Sequence, residues 1–182
     1  MSSASEIRVQ IVIPTYNDVD CIDCTINSIM NQQYDLNKIY VVIVDFGSTD
    51  GTYEKILSFS NFNIGVYQVD VDFTERRMVS EALKIANYTY PGGEYCYRFV
   101  LKPGDIIYEK YISKMVGKAY EYRGYNLSAI ICDTDIINEK GEKYSLPSMD
   151  TVESIIDGKT QYMKYIKNDY RYNVMCFDSD LL

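Results

Sequence analysis

The chain contains no histidine. That absence removes the commonest general base, every Ser–His or Cys–His pair and every histidine-ligated metal site. Acid–base chemistry must then rest on carboxylates, lysine, tyrosine or cysteine. Tryptophan is missing too, while tyrosine accounts for 19 of the 182 residues. Basic residues are few: 18 Lys and Arg against 26 Asp and Glu leave a formal charge of −8. Such a balance argues against a nucleic-acid backbone or an anionic membrane surface as direct partner. A small anionic ligand would need a local device, such as a metal ion, a helix N-terminus or a few placed cations. No apolar stretch approaches the ~18 residues of a spanning helix, and residues 1–10 lack the apolar centre of a signal peptide. The five cysteines (Cys21, Cys24, Cys96, Cys132, Cys176) are an odd, scattered set, which fits a reducing compartment better than a disulfide framework. The expected protein is cytoplasmic and has no membrane span, meeting the inner face of a membrane only through partners.

What the chain does have is alternation. Val9-Gln-Ile-Val-Ile-Pro14 has the apolar continuity of a buried strand, stopped by its proline. Ile22, Ile26, Ile29 and Met30 recur at helical spacing and predict a helix to about Gln33. Tyr40-Val-Val-Ile-Val44 suits the middle of a parallel sheet, and Asp50 is placed to cap a helix reaching about Phe59. Further strands are expected over 64–69, 95–101, 127–132 and 172–177, with helices over 75–86 and 107–122. Asn138-Glu-Lys-Gly141 has the composition of a hairpin turn. Strand and helix alternate from residue 9 to 122, which predicts a single α/β domain with a mostly parallel sheet flanked by helices.

Ligands of an open α/β sheet bind beyond the carboxyl ends of its strands. The turns there are Pro14-Thr-Tyr-Asn-Asp18, Asp45-Phe-Gly-Ser-Thr-Asp-Gly51 and Lys102-Pro-Gly-Asp105. Turn chemistry alone accounts for any one of them. Three such loops at one sheet edge point to a site.

Three blocks in register, Val9-Gln-Ile-Val-Ile-Pro-Thr-Tyr-Asn17, Ser28-Ile-Met-Asn-Gln-Gln-Tyr34 and Val44-Asp-Phe-Gly-Ser-Thr-Asp-Gly-Thr52, resemble the opening of a family 2 glycosyltransferase of the GT-A (Rossmann-like) fold. The likeness is close over residues 9–57 and looser to about 122. It implies a nucleotide-sugar donor, a UDP-sugar, whose sugar passes with inversion to a glycan or lipid-linked acceptor. By the same resemblance Pro14, Thr15 and Tyr16 line the nucleoside pocket, Asp45 meets the base and Ser48 lies beside it. A carboxylate accepting a base N–H is a directional, charge-assisted contact. Asp50 is better read as the helix cap.

The sequence also departs from the pattern. The family has two adjacent aspartates where this chain has Asp45-Phe46. Its metal motif, an apolar strand followed by several aspartates, is reduced here to Asp105, with Lys102 and Gly104 at the other acidic positions. Asp105 alone can still hold Mn²⁺ or Mg²⁺ when phosphate oxygens and waters complete the shell. Alternatively, Lys102 neutralises the diphosphate directly. Asp18/Asp20, Asp70/Asp72, Asp133/Asp135 and Asp178/Asp180 form Asp-x-Asp pairs, of which Asp133-Thr-Asp135 is the best rival metal site, though a loop role fits it better. Arg76 and Arg77 could reach a diphosphate, but as residues opening a helix they better suit its exposed first turn. Cys21-Ile-Asp-Cys24 has the setting of a redox dithiol but lies on the family's ordinary first helix.

In this family the catalytic base belongs to an acceptor-side segment, and Tyr172 to Leu182 resemble only its approach. The expectation is one GT-A-type domain over 1–182 that ends before that segment, with no base assigned. A non-catalytic nucleotide-sugar-binding or interaction protein on the same fold is the rival reading. A nucleotidyltransferase is disfavoured, because Pro14-Thr-Tyr-Asn-Asp18 is no glycine-rich, arginine-bearing loop.

Overall fold

A computed structural model describes residues 7–59, 62–70, 74–89, 96–122, 129–132, 135–138, 140–145 and 174–177. Its strands are β1 (Arg8–Thr15), β2 (Ile39–Asp45), β3 (Ile64–Gln68), β4 (Cys96–Val100), β5 (Ala129–Ile131), β6 (Asp135–Ile137), β7 (Lys143–Ser145) and β8 (Val174–Phe177). The α-helices are α1 (Ile22–Met30), α2 (Thr52–Leu57), α3 (Glu75–Thr89) and α4 (Tyr111–Glu121). Six strands make one sheet in the order β3-β2-β1-β4-β8-β5. The first four run parallel, as the β-branched runs of β1 and β2 require when both faces are covered. β8 then inserts antiparallel between β4 and β5, a placement no local pattern announces. β6 and β7 pair separately as the expected hairpin, with Asn138 Oδ1 accepting from the N–H groups of Lys140 and Glu142 at 3.0 and 2.9 Å.

The two-residue period of the strands divides the core. Val9, Ile11 and Ile13 of β1 and Ile39, Val41 and Ile43 of β2 face α1, α2 and α4, where Ile22, Ile26, Ile29, Ile56, Ile112 and Met115 meet them. Val12, Val42 and Val44 face the other way, onto Ala82 and Ala86 of α3. Phe99 of β4 meets Tyr111 edge to face, with ring centroids 5.6 Å apart.

Two boundaries differ from expectation for traceable reasons. β1 does not stop at Pro14 but runs on to Thr15, with Pro14 opposite Val44. The Val12 carbonyl bonds towards β4, through Leu101 N–H, and the Thr15 carbonyl towards β2, through Phe46 N–H. Pro14 shares Val12's parity, so its missing N–H falls on the β4 side, past the last β1–β4 bond. A ladder position with no partner tolerates proline. The fourth helix starts at Tyr111 rather than 107, because the end of α1 holds the preceding loop open. Ser28 Oγ accepts Ile107 N–H at 3.2 Å, Gln32 Oε1 accepts Ile112 N–H at 3.0 Å, and Gln32 Nε2 donates to the Tyr108 carbonyl at 2.8 Å. Ile107 thus reaches the core from a loop. These buried polar contacts explain why the block Ser28 to Tyr34 carries Ser28 and Gln32 at and just after the end of α1.

Chain order runs from β1 outward to β2 and β3, then crosses to place β4 on the other side of β1. The reversal between β1 and β4 marks the crevice where an open sheet of this kind accepts ligands.

Candidate functional site

Thr15, Asp45 and Gln68 end β1, β2 and β3, and the register sets them side by side across the carboxyl edge of the sheet. The loop after β4, Lys102 to Asp105, closes the row on the far side of β1. With strands about 4.8 Å apart, the edge from Gln68 to the β4 loop spans roughly 14 Å.

The loops after β1 and β2 are joined by a chain of hydrogen bonds. Asn17 N–H donates to Ser48 Oγ, Thr49 N–H to Asn17 Oδ1 and Asp18 N–H to Thr52 Oγ1, each at 2.8 Å. Asp50 Oδ2 accepts Val19 N–H at 3.1 Å, and its Oδ1 accepts Thr52 N–H at 3.0 Å. The cap expected of Asp50 is therefore an aspartate turn onto the first residue of α2, and it also ties down the β1 loop. Burial pushes the Asp50 carboxyl up, but the bonds from Thr52 and Val19 together outweigh it and hold it below the usual carboxylate range. Asn17 adopts φ 55°, a left-handed conformation asparagine accepts more readily than most residues, and Gly47 adopts φ 78°.

Asp45 is fully buried at 0% exposure. Its Oδ1 accepts the Ser48 hydroxyl in a short bond, and its Oδ2 accepts Ser48 N–H and Gln68 Nε2, each at 3.2 Å. Ser48 Oγ donates its one hydrogen to Asp45 and accepts a hydrogen bond from Asn17 N–H, so the hydroxyl serves the loops. Pro14 is buried, and Thr15, 1% exposed, donates its hydroxyl to Asp18 Oδ2 at 2.8 Å. Tyr16 gives its N–H to the same oxygen at 2.9 Å and leaves its side chain 52% exposed, available for stacking. Of the residues singled out from sequence, Tyr16 and Lys102 face solvent and Ser48 and Asp105 are half-buried, while Pro14, Thr15 and Asp45 lie beneath them.

Phe46 turns away from the site. It is 4% exposed and packs with Val12, Val42, Val44, Ala82 and Ala86 on the α3 side of the sheet. The position where the family pattern has a second aspartate is here part of the core.

The β4 loop is a tight turn closed on itself. Asp105 N–H donates to the Lys102 carbonyl at 2.9 Å, and Asp105 Oδ2 accepts Lys102 N–H at 3.0 Å. Gly104 sits at φ 92° with its N–H on Thr25 Oγ1 of α1 at 2.9 Å. Asp105 is six residues ahead of α4 and caps no helix. One carboxylate oxygen holds the turn, which leaves the other for a cation. Among the described residues no three His, Cys, Asp or Glu side chains gather to hold a metal, so any ion here would depend on Asp105 and a ligand's own oxygens.

Cys21 and Cys24 are free thiols. Burial, then the nearby Asp18, pushes the Cys21 thiol up, the opposite of an activated dithiol. Asp18, of the first Asp-x-Asp pair, is occupied within its own loop, and Asp135 accepts the Tyr108 hydroxyl at 2.8 Å. Asp72, Asp133, Asp178, Asp180 and the side chain of Arg76 lie outside the described residues. Sequence reasoning passed over Asn17, Thr52 and Gln68. An asparagine directly after a strand is a signal for a left-handed turn, but Gln68 is marked only by its register with Asp45, which needs the sheet order.

Known proteins resemble this chain in sequence and fold. Over 52 residues, 29% of this chain and 17% of the relative, the sequence is 40% identical to glycosyltransferase AglE of Haloferax volcanii. The fold matches a crystal structure of S. aureus TarS 1–349 in complex with UDP at TM-score 0.57 and 23% identity, covering 64% of this chain and 33% of that one. Mannosyltransferase PcManGT from Pyrobaculum calidifontis, in complex with GDP-Man and Mn²⁺, matches at TM-score 0.56 and 19% identity, over 72% of this chain and 36% of that one. The chain thus spans roughly a third or less of the length of these relatives. At such identities the structural likeness establishes the GT-A-like fold. No helix of the described residues is long and apolar enough to cross a membrane. The model of the family described as glycosyl transferase family 2 matches residues 10–180, nearly the whole chain, and the protein belongs to that family.

Proposed function

We propose that this chain forms the donor-binding part of an inverting glycosyltransferase. It takes a nucleotide diphosphate-sugar, with uridine as the nucleoside, and serves transfer to a glycan or lipid-linked acceptor. The observation that carries this reading is the order of groups along one sheet edge. Buried Asp45 with Gln68 stands at the β2–β3 end, exposed Tyr16 in the middle, and Lys102 with Asp105 at the β4 end. Hydrogen-bonding groups for a base, a ring for stacking, and a cation beside a carboxylate follow one another over the ~14 Å available. That is the sequence of chemical demands a nucleoside diphosphate makes.

Transfer with inversion breaks the bond from the anomeric carbon to the diphosphate as an acceptor hydroxyl forms a bond on the opposite face. The electron pair leaves with the diphosphate, whose growing charge needs stabilisation. Lys102 is exposed at the loop where that charge would gather, and its ammonium supplies an opposite charge there. Asp105 has an oxygen to spare, which suits a Mn²⁺ or Mg²⁺ ion shared with the diphosphate; such an ion, when bound, supplies Lewis-acid stabilisation of the leaving group. Asn17, Ser48, Asp50 and Thr52 keep the base end ordered before ligand arrives. The proton of the acceptor hydroxyl needs a carboxylate base, which none of the residues described above supplies.

One observation favours the rival, non-catalytic reading. Phe46 fills a core position where the family pattern has a carboxylate, so the chain brings fewer polar groups to the donor. Slow hydrolysis of a UDP-sugar, followed by release of free sugar, separates an enzyme from a binding module. A thermal-shift screen with UDP, dTDP, GDP and CDP tests the donor reading: UDP should raise the melting temperature of the wild type, and raise that of Asp45→Ala less. A wild type unmoved by all four nucleotides refutes it.

A further inference from the structure

We infer that Gln68, not Asp45, makes the contact that reads the nucleotide base, and that Asp45 is its positioning residue. The inference rests on the donor-site reading above and assigns the contact within it. Asp45 has no exposed surface, and three donors already occupy its carboxylate: the Ser48 hydroxyl, Ser48 N–H and Gln68 Nε2. A base cannot reach those oxygens while Ser48 and Gln68 cover them. Ser48 is locked as well, between Asp45 and Asn17 N–H.

Gln68 is different. It ends β3 as an exposed residue, in register with Asp45, and its amide lies across the buried carboxylate. An ionised carboxylate only accepts hydrogen bonds, so the NH₂ end of the amide must be the end that faces it. That fixes which way round the amide sits. Its carbonyl Oε1 and second N–H are left on the side away from Asp45, on a residue exposed at the sheet edge. An acceptor beside a donor matches the N3–H and O4 edge of uracil, and the buried charge behind it stops the amide from turning over. Without Asp45 the amide would flip freely and present either end.

The test is a set of calorimetric titrations with UDP and N3-methyl-UDP, the methyl group removing the proton that Oε1 would accept. Circular dichroism first confirms that each variant is folded. Wild type should bind UDP about tenfold more tightly than the methylated analogue, the scale of one hydrogen bond exchanged for an unpaired buried acceptor. In Gln68→Ala that preference should vanish, with both ligands bound at the weaker level. Gln68→Met, which keeps the chain length, should behave the same way. Asp45→Asn should also lose the preference, since a neutral amide no longer dictates the orientation of Gln68. A tenfold preference that survives in Gln68→Ala and Gln68→Met overturns the inference, because Asp45 then reads the base itself. Equal binding of the two ligands by wild type overturns it too, while leaving the donor site standing. A wild type that binds neither overturns the donor reading and this inference together.

Discussion

Asn17 and Ser48 clasp the two loops at the mouth of the site. Asn17 N–H donates to Ser48 Oγ, and the neighbouring Thr49 N–H returns to Asn17 Oδ1, both at 2.8 Å. Asn17→Ala removes one of these bonds and leaves alanine at φ 55°, a left-handed conformation it adopts unwillingly. The two effects together should destabilise the fold by about 2 kcal/mol in a urea titration. Asn17→Gly keeps the backbone at ease and should lose only about 1 kcal/mol, the share of the side-chain bond. Equal losses in the two variants would show that backbone strain plays no part.

Phe46 cannot be turned back into the family's aspartate. Its ring is enclosed by Val12, Val42, Val44, Ala82 and Ala86, so Phe46→Asp would set an unpaired charge in an apolar pocket on the wrong face of the sheet. The loss of the ring alone is worth about 3–5 kcal/mol in protein cores, and the buried charge adds to it. Denaturant unfolding, or recovery of soluble protein, should show a severe defect. Phe46→Leu should stay folded and keep its nucleotide affinity. A soluble Phe46→Asp that binds UDP better than wild type would place the residue in the site after all.

Stability should decline in alkali for a specific reason. Burial, with help from Asp35 and Tyr97, pushes Tyr34 from 10.0 up to about 12, and its hydroxyl donates to the Ile7 carbonyl at 2.6 Å. The folded state therefore holds this proton more tightly than the unfolded chain does. The corresponding stability is complete below pH 10.0 and drains away as the pH rises to about 12. Burial raises Tyr111 as well, so it acts in the same direction. Tyr34→Phe should flatten the fall in urea stability across that window, and an unchanged slope would contradict the assignment.

The cation end of the site makes separable predictions. Asp105→Asn retains an acceptor for Lys102 N–H and should fold normally. It should lose any strengthening of UDP binding by Mn²⁺, while Lys102→Ala should weaken UDP binding about equally with and without the ion. A Mn²⁺ effect intact in Asp105→Asn would move the ion elsewhere. Absence of any Mn²⁺ effect in wild type, with a strong loss in Lys102→Ala, would make the lysine the diphosphate's cation.

Much of the fold was legible because it follows from period and composition. The β-branched runs of β1 and β2, with Ile22, Ile26 and Ile29 at helical spacing, name their own elements and faces. What local pattern misses is long-range. The insertion of β8 between β4 and β5 is settled by pairing partners far apart in sequence. Ile107 looks helical until Ser28 and Gln32 are seen holding its loop, and Pro14 looks like a strand end until the missing β4 partner is known. The site divides in the same way. The loops containing Asp45, Ser48, Lys102 and Asp105 were legible as strand-end loops. Which of their side chains face a ligand was not, since that depends on bonds between loops about thirty residues apart. Phe46 shows the limit best: its alternation with Val44 and Val42 already put it on the α3 face, but proximity to Asp45 drew it into the site.

The most direct test of the donor site is calorimetric titration of UDP into the wild-type chain, with and without Mn²⁺. Saturable binding that Asp45→Ala weakens and Mn²⁺ strengthens is the predicted result. No binding of UDP under either condition would contradict the account at its centre.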